Sequence, residues 1–551
     1  MKKNISLTAA LMLSAAPVFA QDAIILDDIV VSAGIQDIAL NRTGASVDVI
    51  ESDALAAAGT NMSIALDGVA GIATNTSGGF GAASGIRLRG LSQNYVAVRI
   101  DGIDYSDPTG TQNAFDFGGM TTLGFDRVEV LKGSQSAIYG SEAIGGVISF
   151  KTNSDADLGQ SLKLGMEIGS YNTRTYDMKL SSVTETGSTS LAIVKTATDG
   201  FSAKSDNDEA DPHSKTEVRF AADLDVTDNI SLGLNALTSK SETDYDAYGV
   251  DDHVTAKRNG IGLDLEYRGE AITHQLSLSR AITDRYDVEG WNNSFISTRD
   301  TARYTANMTF GIADFSLGAE RTIEEANIDG SITIDKETAY FAEALVAVNP
   351  DIDISAAVRA SQSDEFGSAN VYRLAAIYRL NDSTTLRAMM STGYRAPSQY
   401  ERYSWAGNPD FKPEESTTFE IGASHQYASG SVSATYFDNT VDNVIDYNST
   451  TYAYEQIGGS SKSRGLEISG EFKLSDAISL TGNYTYTDSK NGEVRIVRVP
   501  THDLTLGFAA AVGGKTHLAA NVQIAKDIED LVWPNNVPVD DYTVVNLSAA
   551  Y

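Results

Sequence analysis

No cysteine occurs in the 551 residues, so disulfides, thiolate metal sites and cysteine nucleophiles are all excluded. Long hydrophobic runs are scarce as well. Past the first segment of the chain no stretch reaches the ~18 consecutive apolar residues that would announce a transmembrane helix. Basic charge is in deficit: 41 Lys and Arg face 74 Asp and Glu, for a formal charge of −33. Phosphate binding needs clustered Lys and Arg, so nucleic acid is a poor partner for such a chain. Acidic residues also keep long loops soluble. Catalytic signatures are missing: neither GxSxG nor HExxH occurs, and the carboxylates show no spacing that singles out an acid/base pair. Gly514-Lys515-Thr516 looks like the end of a phosphate-binding loop, but the earlier glycine it needs falls on Ala509, which leaves a strand turn. No enzyme is expected.

What the sequence does contain starts with an export signal over residues 1–20. Lys2 and Lys3 are its basic end, Ile5 to Ala16 its apolar stretch and Val18-Phe19-Ala20 its cleavage site. From Leu158 onward the chain alternates. Ile478, Leu480, Tyr484 and Tyr486 interleave with Ser479, Thr481, Asn483 and Thr485; Leu466, Ile468, Phe472 and Leu474 interleave with Glu467, Ser469, Glu471 and Lys473. A two-residue period with one apolar and one polar face, repeated many times, is the pattern of barrel strands, though a soluble sandwich shares it. Thr227-Asp228-Asn229, Asn381-Asp382-Ser383 and Ser475-Asp476-Ala477 read as tight turns, and residues 205–211 as an acidic outer loop. Tyrosine is abundant, 25 against 3 Trp, which suits the aromatic girdles of an outer-membrane barrel. A membrane protein without spanning helices must be a closed barrel, because closure alone satisfies every backbone group in lipid.

Ile86 to Thr152 is different: short alternating strands, such as Val96, Val98 and Ile100, separated by turns at Asp101-Gly102 and Lys132-Gly133. Here Arg87-Leu88-Arg89-Gly90, Arg99-Ile100-Asp101-Gly102, Arg127-Val128-Glu129-Val130 and the stretch from Ser136 to Gly146 (SAIYGSEAIGG) occur in order. Together they resemble the plug domain of TonB-dependent outer-membrane transporters. The resemblance implies a transmembrane antiparallel β-barrel with a small α+β plug in its lumen. It divides the chain into a signal peptide (1–20), TonB box and linker (21–34), plug (35–154) and barrel (155–551). Asp28, Ile29, Val30, Val31 and Ser32 would be the box gripped by the energising TonB complex, an extended peptide offering its backbone to a partner's sheet edge. Within the plug, residues 51–58 and 63–69 read as two short helices, the first capped by Ser52. Relatives of this type have about 22 strands. This chain stops at Tyr551 after about the twentieth, so a gap is expected between first and last strands.

The resemblance also places two loops at the plug apex, facing the external ligand. They carry Asn75, Thr76, Ser77, Phe80 and Ser84 in the first, and Tyr105, Ser106, Asp107, Thr111, Gln112 and Asn113 in the second. Arg89 and Arg127 of the plug, with Glu420 and Glu467 on barrel strands, match positions that the family pairs across the lumen. Asp244-Tyr245-Asp246-Ala247-Tyr248, followed by Asp251 and Asp252, resembles the calcium-binding loop of the cobalamin transporters, and Ser205-Asp206-Asn207-Asp208 their preceding acidic loop. Calcium takes six to eight hard oxygen ligands, so Asp206, Asp208, Tyr245, Asp246 and Asp251 are the expected ligand set for a structural calcium ion. No other cofactor is expected. The implied function is TonB-dependent import of a cobalamin-like ligand across the bacterial outer membrane. The same machine carrying a ferric siderophore or haem is the alternative. Haem is weakened by the lack of histidine between the barrel motifs at Tyr394-Arg395-Ala396-Pro397 and Gly407-Asn408-Pro409. A passive pore would need neither plug nor box.

Overall fold

Alternation becomes a wall in the computed structural model, which describes residues 29–30, 33–152, 158–204, 209–247, 250–290, 292–532 and 535–551. The export signal lies outside the described residues. Twenty-one strands form one antiparallel sheet from Gly159–Ile168 to Tyr542–Ala550, one of them the two-residue Val494–Arg495. Each long strand pairs with the next along the chain. On Val250–Arg268, Ile261, Leu263, Leu265 and Tyr267 face outward and are exposed, while Gly262 between them is turned to the lumen contents. The apolar face therefore points to lipid and the polar face inward, the reverse of a soluble sandwich.

One rim carries the short turns: Thr227 to Ile230, Asn381 to Thr384 and Ser475 to Ile478, as the sequence predicts. The other carries long connections such as 199–212 and 396–413. Short turns mark the periplasmic rim of such barrels and long loops the outer one. Among the described residues no ladder joins Gly159–Ile168 to Tyr542–Ala550; each is paired on one side only. The expected gap lies at this seam.

The N-terminal unit is built around a five-stranded mixed sheet, in the order Val47–Glu51, Arg127–Lys132, Gly146–Lys151, Val96–Ile100, Ile103–Asp104. Val96–Ile100 and Gly146–Lys151 run parallel, which a chain can do only by crossing over between them. The two expected helices are Ser52–Ala57 and Met62–Asp67, with a third at Ser136–Tyr139, and the side-chain cap belongs to the second. Asn61 Oδ1 accepts from the Ser63 amide at 2.9 Å, whereas no side chain caps the first. Ser52 is thus the first helical residue and no cap. Leu66, Ile72, Val128, Val130, Ile148 and Phe150 form a dry core. The unit sits in the lumen: it touches Lys179, Arg219, Arg258, Arg303, Arg373, Glu420 and Glu467, which come from strands around the whole wall.

Candidate functional site: a plug locked to the barrel wall

Arg89 is the residue on which the contact turns. It follows the strand Ser84–Leu88 with its backbone in the left-handed region, φ 51°. This aims the guanidinium straight at the wall. Nε and Nη2 donate to the two oxygens of Glu467 at 2.9 and 2.8 Å, and Nη1 lies 2.8 Å from Glu420. The same guanidinium lies over the Phe437 ring at 4.8 Å. All three charged groups are almost wholly buried, so the pairing is bidentate, dry and specific in direction. Lys132 adds a second cation, its Nζ 3.4 Å from Glu467 and 2.6 Å from Asp48. Two glycines allow the approach. A Cβ at Gly71 (φ 78°) would collide with the Glu467 carboxylate, and one at Gly133 (φ 74°) with that of Glu420.

Arg127 does not join this cluster. It lies opposite Glu51 in the plug sheet and pairs there at 3.2 Å and with Glu129 at 3.0 Å, so its expected partnership with Glu420 or Glu467 is corrected to an intraplug one. Register decides this: Arg127 opens its strand while Lys132 ends it, and it is Lys132 that reaches the wall. A second tie was not anticipated. The Tyr95 hydroxyl of the plug donates to Glu414 at 2.9 Å, and Arg395 binds both Glu414 and Glu401 with every carboxylate fully buried. The barrel motif Tyr394-Arg395-Ala396-Pro397 contains Arg395, but nothing in it points to Tyr95.

Of the expected box, Ile29–Val30 pairs antiparallel with Ile38–Ala39, and Asp28, Val31 and Ser32 lie outside the described residues. The linker is clasped to the wall. Arg373 Nη1 donates to the Ala33 carbonyl at 3.0 Å, and the Ile35 amide donates to Glu343 at 2.7 Å.

The two apical loops divide. Asn75, Thr76 and Ser84 sit on paired strands, Ile72–Thr76 and Ser84–Leu88, so the first loop is the shorter turn that includes Ser77 and Phe80. Thr76, Ser77 and Thr111 are exposed. Phe80 packs edge-on against His213 of the wall. Gln112 donates to the Ile445 carbonyl at 3.2 Å. Tyr105, Ser106, Asp107 and Asn113 are buried instead: Tyr105 presses on Gly260 of the wall, Ser106 bonds Asp104, Asp107 closes a turn on Thr109 and Asn113 donates to Glu142.

At the outer rim, strand pairing sets Asp246 opposite Asp251, and Glu209 joins them, with one oxygen from each within 4.8 Å of the others. Lys204 lies 2.8 Å from Asp246, and the Ser202 hydroxyl donates to the same carboxylate at 2.8 Å. The Glu209 carboxyl is pushed up to about 7 by its hydrogen bond to Asp251 and the negative charge beside it. Tyr245 is turned to the opposite face and donates to Asp252 and Asp287 at 3.1 and 3.2 Å, away from this trio. Asp206 and Asp208 lie outside the described residues. Glu209 was missed because the acidic run gives no spacing that favours one member.

Comparison with known families decides what this assembly is. The family described as TonB dependent receptor-like, beta-barrel matches residues 149–551, and the TonB-dependent Receptor Plug Domain matches residues 39–147. The chain belongs to the TonB-dependent receptors. Receptors of this family are outer-membrane barrels with transport and not enzymatic roles. Among curated relatives, this receptor is 26% identical over 427 residues to the vitamin B12 transporter BtuB of Vibrio cholerae serotype O1, covering 73% of this chain and 68% of that one. The Photobacterium profundum protein of the same name is 26% identical over 386 residues, 67% of this chain and 62% of its own. Two solved structures share the fold. The siderophore receptor PirA of Acinetobacter baumannii superposes with a TM-score of 0.78 at 16% identity, covering 92% of both chains. A mutant of the ferric enterobactin receptor PfeA of Pseudomonas aeruginosa gives 0.78 at 17% identity, covering 91% of this receptor and 90% of its own chain.

Proposed function

We propose that this TonB-dependent receptor imports a cobalamin-like ligand, with calcium ordering its outer loops. The observation that carries the reading is the meeting of Asp246, Asp251 and Glu209 at the outer rim. It falls in the segment that resembles the calcium loop of cobalamin transporters, within a chain 26% identical to proteins of that name. Calcium would take oxygens from these three side chains and displace the Lys204 ammonium from Asp246, relieving the carboxylate crowding. Ligand would then rest on the exposed part of the plug, near Ser77 and Thr111, beneath loops held in place. Occupancy must favour a plug state in which residues 28–32 are free for TonB, since a ligand shifts an equilibrium only by its differential contacts. A passive pore fits poorly, because the lumen is filled and the filling is ion-paired to its wall.

The test is equilibrium binding of cobalamin to the purified receptor with and without calcium. Saturable binding that tightens with calcium is expected. No cobalamin binding in either condition overturns the ligand assignment, and saturable binding of a ferric siderophore in its place moves the receptor to that class.

A further inference from the structure

The lock and the Tyr95–Glu414 tie hold one side of the plug. The opposite side is tied as well, Arg299 lying 3.3 Å from Asp104 and 3.8 Å from Glu142 of the plug, but it is not filled. Two cavities lie there between plug and wall, an inner one of about 210 Å³ and an outer one of about 30 Å³. The inner cavity borders Gly34, just after the box, and the Asp101-Gly102 turn, and it reaches Ser277 near the short-turn end of Thr273–Asp287. The outer one borders Glu142 of the plug and Thr322 and Glu337 of the wall, toward the outer ends of Ala313–Ile328 and Ser331–Asn349. Tyr139 and Glu320 line both. Neither cavity touches the wall beyond Ala396, where the lock residues lie.

Where their linings meet stand Tyr139, Glu320 and the groups that bond them. From the plug comes the Tyr139 ring, with the Arg99 guanidinium over it at 4.9 Å. From the wall comes Arg303, whose Nη1 donates to the Ile138 carbonyl at 3.0 Å and lies 3.1 Å from Glu320. Glu320 also holds Arg359 at 2.7 Å. Both chambers are lined by hydroxyls and by charged groups of either sign, a setting that holds water (apolar cavities stay dry).

We propose that the two cavities are halves of one solute passage along wall residues 262–396, and that Tyr139 with the Arg303–Glu320 pair is the partition closing it at rest. Cargo leaving an energised receptor would pass on this side, while the locked side keeps the plug attached. The identification of the passage with cargo rests on the importer reading; the passage itself does not.

The chain has no cysteine, so single thiols report cleanly. In planar bilayers, Tyr139→Ala in the full chain should raise ion conductance several-fold above the parent. Arg303→Gln should do the same from the wall side, leaving the plug sequence untouched. A cationic methanethiosulfonate should abolish the added conductance when the variant carries Ser277→Cys or Thr322→Cys, but not when it carries Thr435→Cys on the opposite wall. The proposal is overturned if neither opening variant conducts above the parent, or if block at Thr435→Cys equals block at the other two. None of these readings depends on cobalamin, so they stand or fall apart from the ligand assignment.

Discussion

Arg89 holds two carboxylates of the wall from inside the plug, and removing its charge leaves both buried without their main partner. Breaking a buried pair in this way costs about 3–5 kcal/mol, against ~0–1 for an exposed bridge. Arg89→Ala should therefore destabilise the plug by that larger amount. Arg127→Ala, which loses a contact to the half-exposed Glu51 and one to Glu129 inside the plug, should leave the pairing of Arg89 with Glu467 and Glu420 intact. Limited proteolysis of the plug across a urea titration measures both; equal release of the plug in the two variants would refute the lock. The glycines make a second contrast. Gly133→Ala drives a methyl into Glu420 at φ 74°, whereas Gly102→Ala at φ 82° meets nothing within 4 Å. The second should cost roughly the 1–2 kcal/mol of a left-handed residue. Gly133→Ala should cost more in the same titration, because the wall carboxylate must also move.

At the scale of the hairpin ending in Asp246 and Asp251, the pH dependence has a definite sign. Glu209 titrates near 7, above the usual carboxylate range, because Asp251 and Asp246 disfavour its charge. Its raised value means that, without metal, the loop loses stability as pH rises from the ordinary carboxylate value through 7. On the proposed calcium reading the ion must displace the Glu209 proton below 7, so it should bind more tightly at pH 8 than at pH 6, and Glu209→Gln should flatten that difference. Calcium titration at the two pH values checks it. Strands and turns of this kind were legible in the sequence: residues 478–486 alternate visibly, and the turns at 227–230 and 475–478 fall on Asp228-Asn229 and Ser475-Asp476. Partners were less so. Glu209 sits in a run of equivalent acids, and only the folded loops select it. Arg127 and Lys132 share one strand five residues apart, and only pairing register turns one to Glu51 and the other to the wall. Arg89 and Glu467 are 378 residues apart, a pairing reached through family resemblance because no local period could give it.

Across the whole molecule, the plug touches the wall on all sides but its bidentate lock lies on one, and the point where TonB would pull is wired to that side. Residues 29–46 lead directly into Val47–Glu51, an edge strand of the plug sheet. Ser46 donates to Glu420 at 2.8 Å, and Asp48 lies 2.6 Å from Lys132. Peeling that strand from its neighbour Arg127–Lys132 thus strips one partner from Glu420 and one from Lys132 before Arg89 is touched. An edge strand pulled from its end yields one ladder pair at a time, while a buried bidentate pair must break together with the contacts around it. Once the linker's bonds to Arg373 and Glu343 have parted, extension of the receptor from its N-terminal end in a single-molecule trap should therefore show two events: removal of the edge strand at low force, then a higher-force release. In Arg89→Ala the second event should fall toward the first while the first stays where it was. If the second event keeps its force without Arg89, the held side of the plug is not the part that resists, and the order of unlocking argued from Ser46 and Asp48 is wrong.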